Sequence, residues 1–468
     1  MSEPLDMVVI GSGPGGYRAS IYAALRGLAV AIVERSDWGG TCLNRGCIPK
    51  KDWHHSAKTL AKSDRFAERG IAGGPLRGDL AAAWQHQEQV VDQVQDSYIK
   101  FMDRLGVRKY RGHARLDFEG NVAIEGPDAG TVAARKVILA TGSRPMPLAG
   151  VEPVSGRVLT TDMLFDEPAP PAGEVIVVGS GVIGTEMAFI LGQLGCSVTW
   201  LATASPMGKS SFTPQARKVL EEKLAEYGMD WQVGGRLAAT RVAGDRAVAE
   251  LDDGTTHEAD WILLGTGREP VTDDLGLDTA GVATDAKGYV QADTARETSR
   301  AGIFAIGDCA NPHQTANHAM ADAEVAVKNI LHQGSAEADD AAVPEVVYSA
   351  VEMARLGLND DTAEDAGWEP AVGFTSFDTN PKALGLDADA GFTRLLVDMD
   401  EGTLLGGEIV GDNAGELVHV LTTHTDPETA LARIAAGRFN HPAMAEEVLN
   451  STETLAANWG LGPKIFEE

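Results

Sequence analysis

At 468 residues with 44% hydrophobic and 23% charged side chains, the chain is long enough to form two to four compact units with ample core. Its 68 acidic against 39 basic residues leave a formal charge of −29, a surface that repels nucleic acid and anionic membranes, so neither is an expected partner. No apolar run approaches the length of a membrane span, and the acidic start Met1-Ser2-Glu3-Pro4-Leu5-Asp6 is unlike a signal peptide, so the expected location is cytoplasmic and reducing. Only 14 of the basic residues are Lys. Such a surface suits an ordinary acidic enzyme or a salt-adapted protein whose self-repulsion is screened by counterions.

In chain order, Asp6-Met7-Val8-Val9-Ile10 predicts a short buried strand. The turn Gly11-Ser12-Gly13-Pro14-Gly15-Gly16 follows, then a helix over 17–26 and a second strand over 29–34. That is a βαβ unit opening a doubly wound sheet. Gly11 makes the tight turn, Gly13 lets backbone approach a pyrophosphate, and Gly16 lets helix and strand pack closely. Glu34 comes 23 residues after Gly11, at a strand end where a carboxylate can bind a ribose diol.

Next comes Gly39-Gly40-Thr41-Cys42-Leu43-Asn44-Arg45-Gly46-Cys47-Ile48-Pro49-Lys50-Lys51, which sets two of the chain's four cysteines five positions apart. A helix start and a nearby Lys are expected to lower a thiol pKa there and favour the nucleophilic thiolate. Such a pair cycles electrons or binds a metal. The spacing is not that of zinc knuckles and no second pair follows, so redox chemistry is the expectation and no metal is expected. His54 and His55, with Trp53, lie beyond. His54 shares the Cys47 face if a helix continues, and either packs or acts on the thiols from outside. Cys196 and Cys309 read as small packing residues.

The dinucleotide pattern recurs. A strand over 174–178 precedes Gly179-Ser180-Gly181-Val182-Ile183-Gly184, then a helix to about Leu194 and a strand over 197–201. Two such units imply two dinucleotides, the alternative being a degenerate copy that binds nothing. The 23-residue spacing from Gly179 lands on Ala202, where an acid would select NAD. No Arg follows nearby and Lys209 is the nearest cation, so NAD is expected and NADP is not excluded. Strands over 136–139 and 260–263 run into the turns Ala140-Thr141-Gly142-Ser143-Arg144-Pro145 and Leu264-Gly265-Thr266-Gly267-Arg268-Glu269-Pro270. Gly302-Ile303-Phe304-Ala305-Ile306-Gly307-Asp308 follows, with Asp308 a ligand contact or a cap for the helical stretch 316–331. Residues 331–344 read as a polar linker. After it, strands over 345–348, 393–398 and 404–410 and helical pattern from Gly415 and from Pro442 suggest a separate α+β unit. His441 before Pro442 in His441-Pro442-Ala443-Met444-Ala445-Glu446 is, by itself, a turn or cap residue.

These motifs, in this order and nearly end to end, resemble the class I pyridine nucleotide–disulfide oxidoreductases. The resemblance implies an α/β protein with two doubly wound Rossmann-type dinucleotide-binding domains plus a C-terminal α+β dimerisation domain. The expected boundaries are 1–149 and 271–340 for the FAD-binding domain, 150–270 for the NAD(P)-binding domain and 341–468 for the dimer interface. It places FAD on Gly11, Gly13, Pro14, Gly16, Glu34, Gly40, Thr41, Thr141, Gly142 and Asp308, and NAD(P) on Gly179, Gly181, Ile183, Gly184, Ala202 and Gly267. It makes Cys42 the interchange thiol and Cys47 the flavin-facing one, with Lys51 and Glu186 paired beside the flavin. It makes His441 the acid–base of the partner chain's disulfide, oriented by Glu446, so the active unit is a homodimer.

Asn380-Pro381-Lys382-Ala383-Leu384, the stretch Leu405–Gly411 and the stretch Ala414–Leu417 are similar to the dihydrolipoamide dehydrogenases within that family. They imply a lipoyl-bearing carrier as substrate, while Lys50 departs from the Ser usual there. The alternatives are a glutathione reductase-like enzyme taking a small-molecule dithiol or disulfide, and a flavin-binding paralogue acting as an assembly subunit. A melting series decides the meaning of the charge: a salt-adapted surface raises Tm between low and molar salt, and equal Tm values leave an ordinary acidic enzyme.

Overall fold

The computed structural model describes residues 5–73, 75–332, 334–423 and 426–466. The acidic start through Pro4 and Gln333 of the expected linker lie outside the described residues. The chain folds as two compact units. The first holds residues 1–178, 193–197 and 235–339, and the second holds 179–192, 198–234 and 340–468.

The first unit is built on β1 (Leu5–Ile10) and β2 (Val30–Glu34), which flank α1 (Pro14–Leu25) in the chain. The two strands pair in parallel with Met7 opposite Val30 and Ile10 opposite Val33. Strand Arg108–Arg111 continues the sheet beyond β2, while Ala134–Leu139 and then Ile303–Ala305 continue it beyond β1, all parallel. Successive residues of β1 serve opposite faces. Val8 and Ile10 join one core cluster with Leu139 and Ala305, and Met7 and Val9 join another with Ala19, Ala23 and Ala326. A strand buried on both faces is what a parallel sheet requires, and it explains why β1 is an unbroken apolar run. The second face is closed by α1 and the helix Ala316–Leu331. They pack closely enough that a Cβ at Gly15 would come 3.0 Å from the Ala319 carbonyl oxygen.

Three connected features complete this unit. Helices α2 (Gly40–Arg45), α3 (Cys47–Ala61) and α4 (Leu80–Arg104) follow β2. Strands Glu174–Val178, Trp261–Leu264 and Val158–Thr160 form a second parallel set. The strands Ser143–Pro145 and Arg268–Pro270 pair antiparallel, so the two glycine-bearing turns of the sequence lie side by side.

The second unit carries the other glycine-rich turn, followed by helix Val182–Gln193. Parallel pairing sets Trp200 opposite Trp231 and Ala202 opposite Val233. Its larger part is a five-stranded antiparallel sheet in the order Glu345–Tyr348, Glu352–Gly357, Leu404–Val410, Phe392–Asp398, Pro370–Ser376. Helix Glu446–Trp459 lies on that sheet, where only hydrogen fits at Gly373, because a Cβ would stand 2.2 Å from the Ser451 carbonyl oxygen. Three strands of this sheet match the expected positions to within one residue. Glu352–Gly357 and Pro370–Ser376 were not anticipated, since both mix apolar with polar and small residues.

None of the helices among the described residues is long and apolar enough to cross a membrane. Gly16 tests the first βαβ unit, because a Cβ there would stand 1.9 Å from the Gly11 carbonyl oxygen. Gly16→Ala is expected to cost about 1–3 kcal/mol as a buried overpacking change. It should lower the melting midpoint by several degrees, and an unchanged midpoint would contradict this packing.

Candidate active site

The redox segment is shaped by glycine. Gly39 and Gly40 have φ of 95° and 61°, so the chain turns sharply after β2 and enters α2. α2 ends at Gly46, whose φ of −133° and ψ of −104° break the helix for one residue before α3 begins at Cys47. A Cβ on Gly46 would stand 3.1 Å from the Thr41 carbonyl oxygen and 3.3 Å from the Cys42 Cα. The short α2 and the start of α3 therefore close on each other across a hydrogen atom, bringing Cys42 and Cys47 together. The two thiols share a hydrogen bond. Cys47 is the first residue of the fifteen-residue α3, where the helix dipole favours a thiolate.

The Cys42 thiol is pushed well above its ordinary pKa, first by that bond to Cys47, then by burial. The charge of Lys50 pulls the other way but is the smallest influence. At Cys42 the shift is therefore upward, opposite to the lowering expected for a thiol of this segment. Two thiols in contact hold one negative charge readily, and a second is opposed by the first.

Several groups hold this segment in place. Asn44 Nδ2 donates to the carbonyl oxygens of Gly40 (2.8 Å) and Trp38 (3.1 Å), and Gln95 Nε2 donates to the Trp38 carbonyl oxygen and to Asn44 Oδ1. Arg45 is ion-paired with Asp37 and Asp166. Tyr98, one turn beyond Gln95 on α4, stacks on Tyr17 with centroids 3.9 Å apart and rings 9° from parallel. Burial raises the Tyr98 pKa, and the proximity of Cys42 and Cys47 raises it further. Gln95 and Tyr98 were not anticipated from sequence. The signal was the apolar spacing of Leu80, Trp84 and Met102, which defines the inward face of α4.

His54 is buried on α3 and His55 is exposed. Trp53 is fully buried against Trp84 and Phe165. Burial pushes the Cys196 thiol up to about 11 and raises the Cys309 thiol as well, consistent with inert packing residues.

The first glycine turn has the shape a dinucleotide phosphate needs. A Cβ on Gly11 would stand 2.2 Å from the Ala140 carbonyl oxygen, and one on Gly40 would stand 2.9 Å from Gly13 Cα. A Cβ on Gly13 would meet nothing within 4 Å, so the turn is closed on two sides and open at Gly13, beside the start of α1 at Pro14. Glu34 is buried, and its Oε2 accepts from Ser12 N (2.9 Å) and Ser12 Oγ (2.7 Å). Ser12 Oγ also accepts from Gly39 N, linking the turn to the redox segment. Thr41 lies within α2, and Thr141 Oγ1 donates to the Val271 carbonyl oxygen. Gly142, with φ of 75°, has open space where a Cβ would stand. Ser143 Oγ donates to Asp308 Oδ2 at 2.6 Å, and Arg268 binds both Ser143 Oγ and Asp162. Burial raises the Asp308 pKa against the lowering effect of Ser143 and Arg268. Asp308 is not the cap of helix Ala316–Leu331, because Thr315 caps it and accepts from His318 N.

The second turn repeats the pattern. A Cβ on Gly184 would stand 2.1 Å from the Gly179 carbonyl oxygen, while Gly181 is open. Ile183 lies in the first turn of the helix that follows. Ala202 ends strand Ser197–Ala202, buried. Gly267, with φ of 112°, stands in the first unit near Met146.

Glu186 is buried on helix Val182–Gln193, where its Oε1 accepts from Tyr348 N at 2.9 Å. Lys51 is half-buried on α3, in the other compact unit. Near the C-terminus, His441 Nδ1 and Glu446 Oε1 are 3.0 Å apart, and Glu446 Oε2 accepts from Ala443 N. These contacts hold the Glu446 carboxyl below its ordinary pKa, the Ala443 N–H being the larger cause. The expected helix from Pro442 is corrected. His441–Pro442 is a cis peptide and the helix starts at Glu446, so the carboxylate stands at its N-terminus, where the dipole favours charge. Asn380, buried, donates to the Ala443 carbonyl oxygen and to Glu447 Oε1, tying this segment to the sheet. Among the described residues no group of three or more His, Cys, Asp or Glu side chains is arranged to hold a metal.

The chain belongs to the pyridine nucleotide-disulphide oxidoreductase family, whose main domain matches residues 5–324 and whose dimerisation domain matches residues 343–452. It is 31% identical over 466 residues to dihydrolipoyl dehydrogenase 3 of Haloarcula marismortui, with 96% of each chain covered. It is 32% identical to the dihydrolipoyl dehydrogenase of Thermus scotoductus, covering 96% of this chain and 97% of that one. In fold it is similar to LpdA from Mycobacterium tuberculosis, with a TM-score of 0.90, 24% identity and coverage of 96% and 100%.

Gly13→Ala separates phosphate binding from folding. The added methyl has room in the protein but fills the open face of the turn. The variant is expected to melt like the parent after flavin removal and to retain less flavin on purification. Full flavin content would contradict the cradle.

Proposed function

We propose that this chain is an FAD- and NAD-dependent dihydrolipoyl dehydrogenase, oxidising the dithiol of a lipoyl group through Cys42 and Cys47. The observation that carries the reading is the pair of thiols joined across Gly46, with Gly40 packed on the open dinucleotide turn at Gly13. The names of the near-full-length relatives support the lipoyl substrate. The proposed domain division is FAD binding by 1–149 and 271–340, nicotinamide binding by 150–270 and dimerisation by 341–468. FAD is held by the Gly11–Gly16 turn, Glu34, Gly40, Thr41, Thr141, Gly142 and Asp308. NAD is held by Gly179, Gly181, Ile183, Gly184, Ala202 and Gly267.

His441, turned by its Nδ1 contact to Glu446, presents Nε2 as the base and takes a proton from a substrate thiol. It acts across a homodimer on the partner's dithiol. The substrate thiolate attacks Cys42 Sγ in the oxidised Cys42–Cys47 disulfide, that S–S bond breaks, and Cys47 leaves as a thiolate favoured by the α3 N-terminus. The second substrate thiol then attacks the substrate sulfur of the mixed disulfide; His441 passes its proton to the departing Cys42 sulfur and takes up the proton of the second thiol, leaving Cys42 a thiol and Cys47 a thiolate. The substrate is oxidised to its cyclic disulfide, and two electrons remain on the Cys42–Cys47 dithiol. Bound FAD supplies the two-electron chemistry that links this dithiol to hydride transfer onto NAD. Lys51 and Glu186 are the residues that the family resemblance proposes beside that group.

The flavin-loaded protein should reduce NAD with dihydrolipoamide. His441→Gln should lose about 10²- to 10⁴-fold in turnover while keeping its flavin. Glu446→Ala should lose less, because it orients the imidazole without exchanging a proton with substrate. No turnover with dihydrolipoamide, alongside NADPH-driven reduction of a small disulfide, would replace this reading with the glutathione reductase-like one.

A further inference from the structure

We propose that the second dinucleotide turn also accepts a 2′-phosphate on the adenosine ribose, with Lys209 as the residue that binds it, so that this chain takes NADP(H) as well as NAD(H). The inference rests on the reading of the Gly179–Gly184 turn as the nicotinamide-dinucleotide site and deepens it.

Strand Ser197–Ala202 ends beside that turn, since Gly179 N donates to the Leu201 carbonyl oxygen at 2.9 Å. In such a fold the residue at this strand end faces the adenosine ribose, and an acid there binds the 2′-hydroxyl while repelling a 2′-phosphate. Here it is Ala202, which does neither. The loop that follows is fixed rather than loose. Met207, at φ 56°, donates its N–H to the Ser180 carbonyl oxygen at 2.8 Å, so the loop is pinned to the glycine turn itself. Met207 and Phe212 are buried beneath it. Arg217 Nη1 donates to the Phe212 carbonyl oxygen at 2.7 Å and holds the loop from below.

Lys209, on the exposed side of this loop, folds back so that its Nζ stands 3.4 Å from Thr203 Oγ1, one residue beyond Ala202. An ammonium and a hydroxyl thus lie together at the strand end, a donor set suited to a phosphate monoester. From Thr203 to Phe212 Lys209 is the one charged residue, so the loop sets no carboxylate beside it. A compact Lys in place of a clamping Arg implies acceptance of both nucleotides rather than exclusive choice.

Two redox-inert probes isolate the adenosine end: ADP-ribose and 2′-phospho-ADP-ribose, titrated by calorimetry into the oxidised, flavin-loaded protein. The phosphorylated ligand is expected to bind at least as tightly as ADP-ribose at low salt, and to lose that advantage as salt rises. Lys209→Ala should weaken the phosphorylated ligand by about tenfold or more, the scale of one charge-assisted hydrogen bond. It should change ADP-ribose by less than about twofold, and Lys209→Arg should restore the phosphate preference. Binding of ADP-ribose more than about tenfold tighter in the parent, or an equal loss of both ligands in Lys209→Ala, overturns the proposal. Failure of both probes to bind the parent overturns it together with the dinucleotide reading of the turn.

Discussion

One close approach governs the first unit: the backbone of Gly46 lying against that of Thr41 and Cys42. Without a side chain at Gly46, α2 and α3 fold back on each other, and cysteines five positions apart share a hydrogen bond. The rest of the segment serves that contact. Gly40 packs on Gly13, so the redox helix and the dinucleotide turn are one structure. Ser12 ties both to Glu34. Asn44 and Gln95 lock the α2 backbone, and Arg45 pins its end with two carboxylates.

Electrostatics then distinguishes the two thiols. The contact and burial oppose ionisation of Cys42, while Cys47 stands at the start of α3. The second unit supplies a different kind of order. His441 is exposed within a single chain, yet it is held by Glu446, and the segment carrying both is fastened through Asn380. The imidazole is exposed yet fixed, and it lies within the match to the family's dimerisation domain.

Much of this could be read from residue order alone, where local rules dominate. The glycine turns, their flanking strands and the helix over 316–331 depend on neighbours a few residues apart, and they fall within a residue or two of expectation. What escaped were properties that depend on distant neighbours. The direction of the Cys42 pKa follows from its contact with Cys47, which a general rule about helix starts does not contain. Gln95 and Tyr98 act through α4, about fifty residues beyond the cysteines. Asp308 seemed a possible cap until Thr315 proved to fill that position. Pro442 suggested a helix start, whereas Glu446 begins the helix and lends its carboxylate to His441.

The central claim is that Cys42 and Cys47 together form one two-electron couple, and counting thiols tests it most directly. The oxidised holoenzyme, denatured without reductant, should show two reactive thiols per chain, from Cys196 and Cys309. The same protein reduced anaerobically with NADH before denaturation should show four, with peptide mapping assigning the new pair to Cys42 and Cys47. Four thiols before reduction, or no increase after it, would contradict the account.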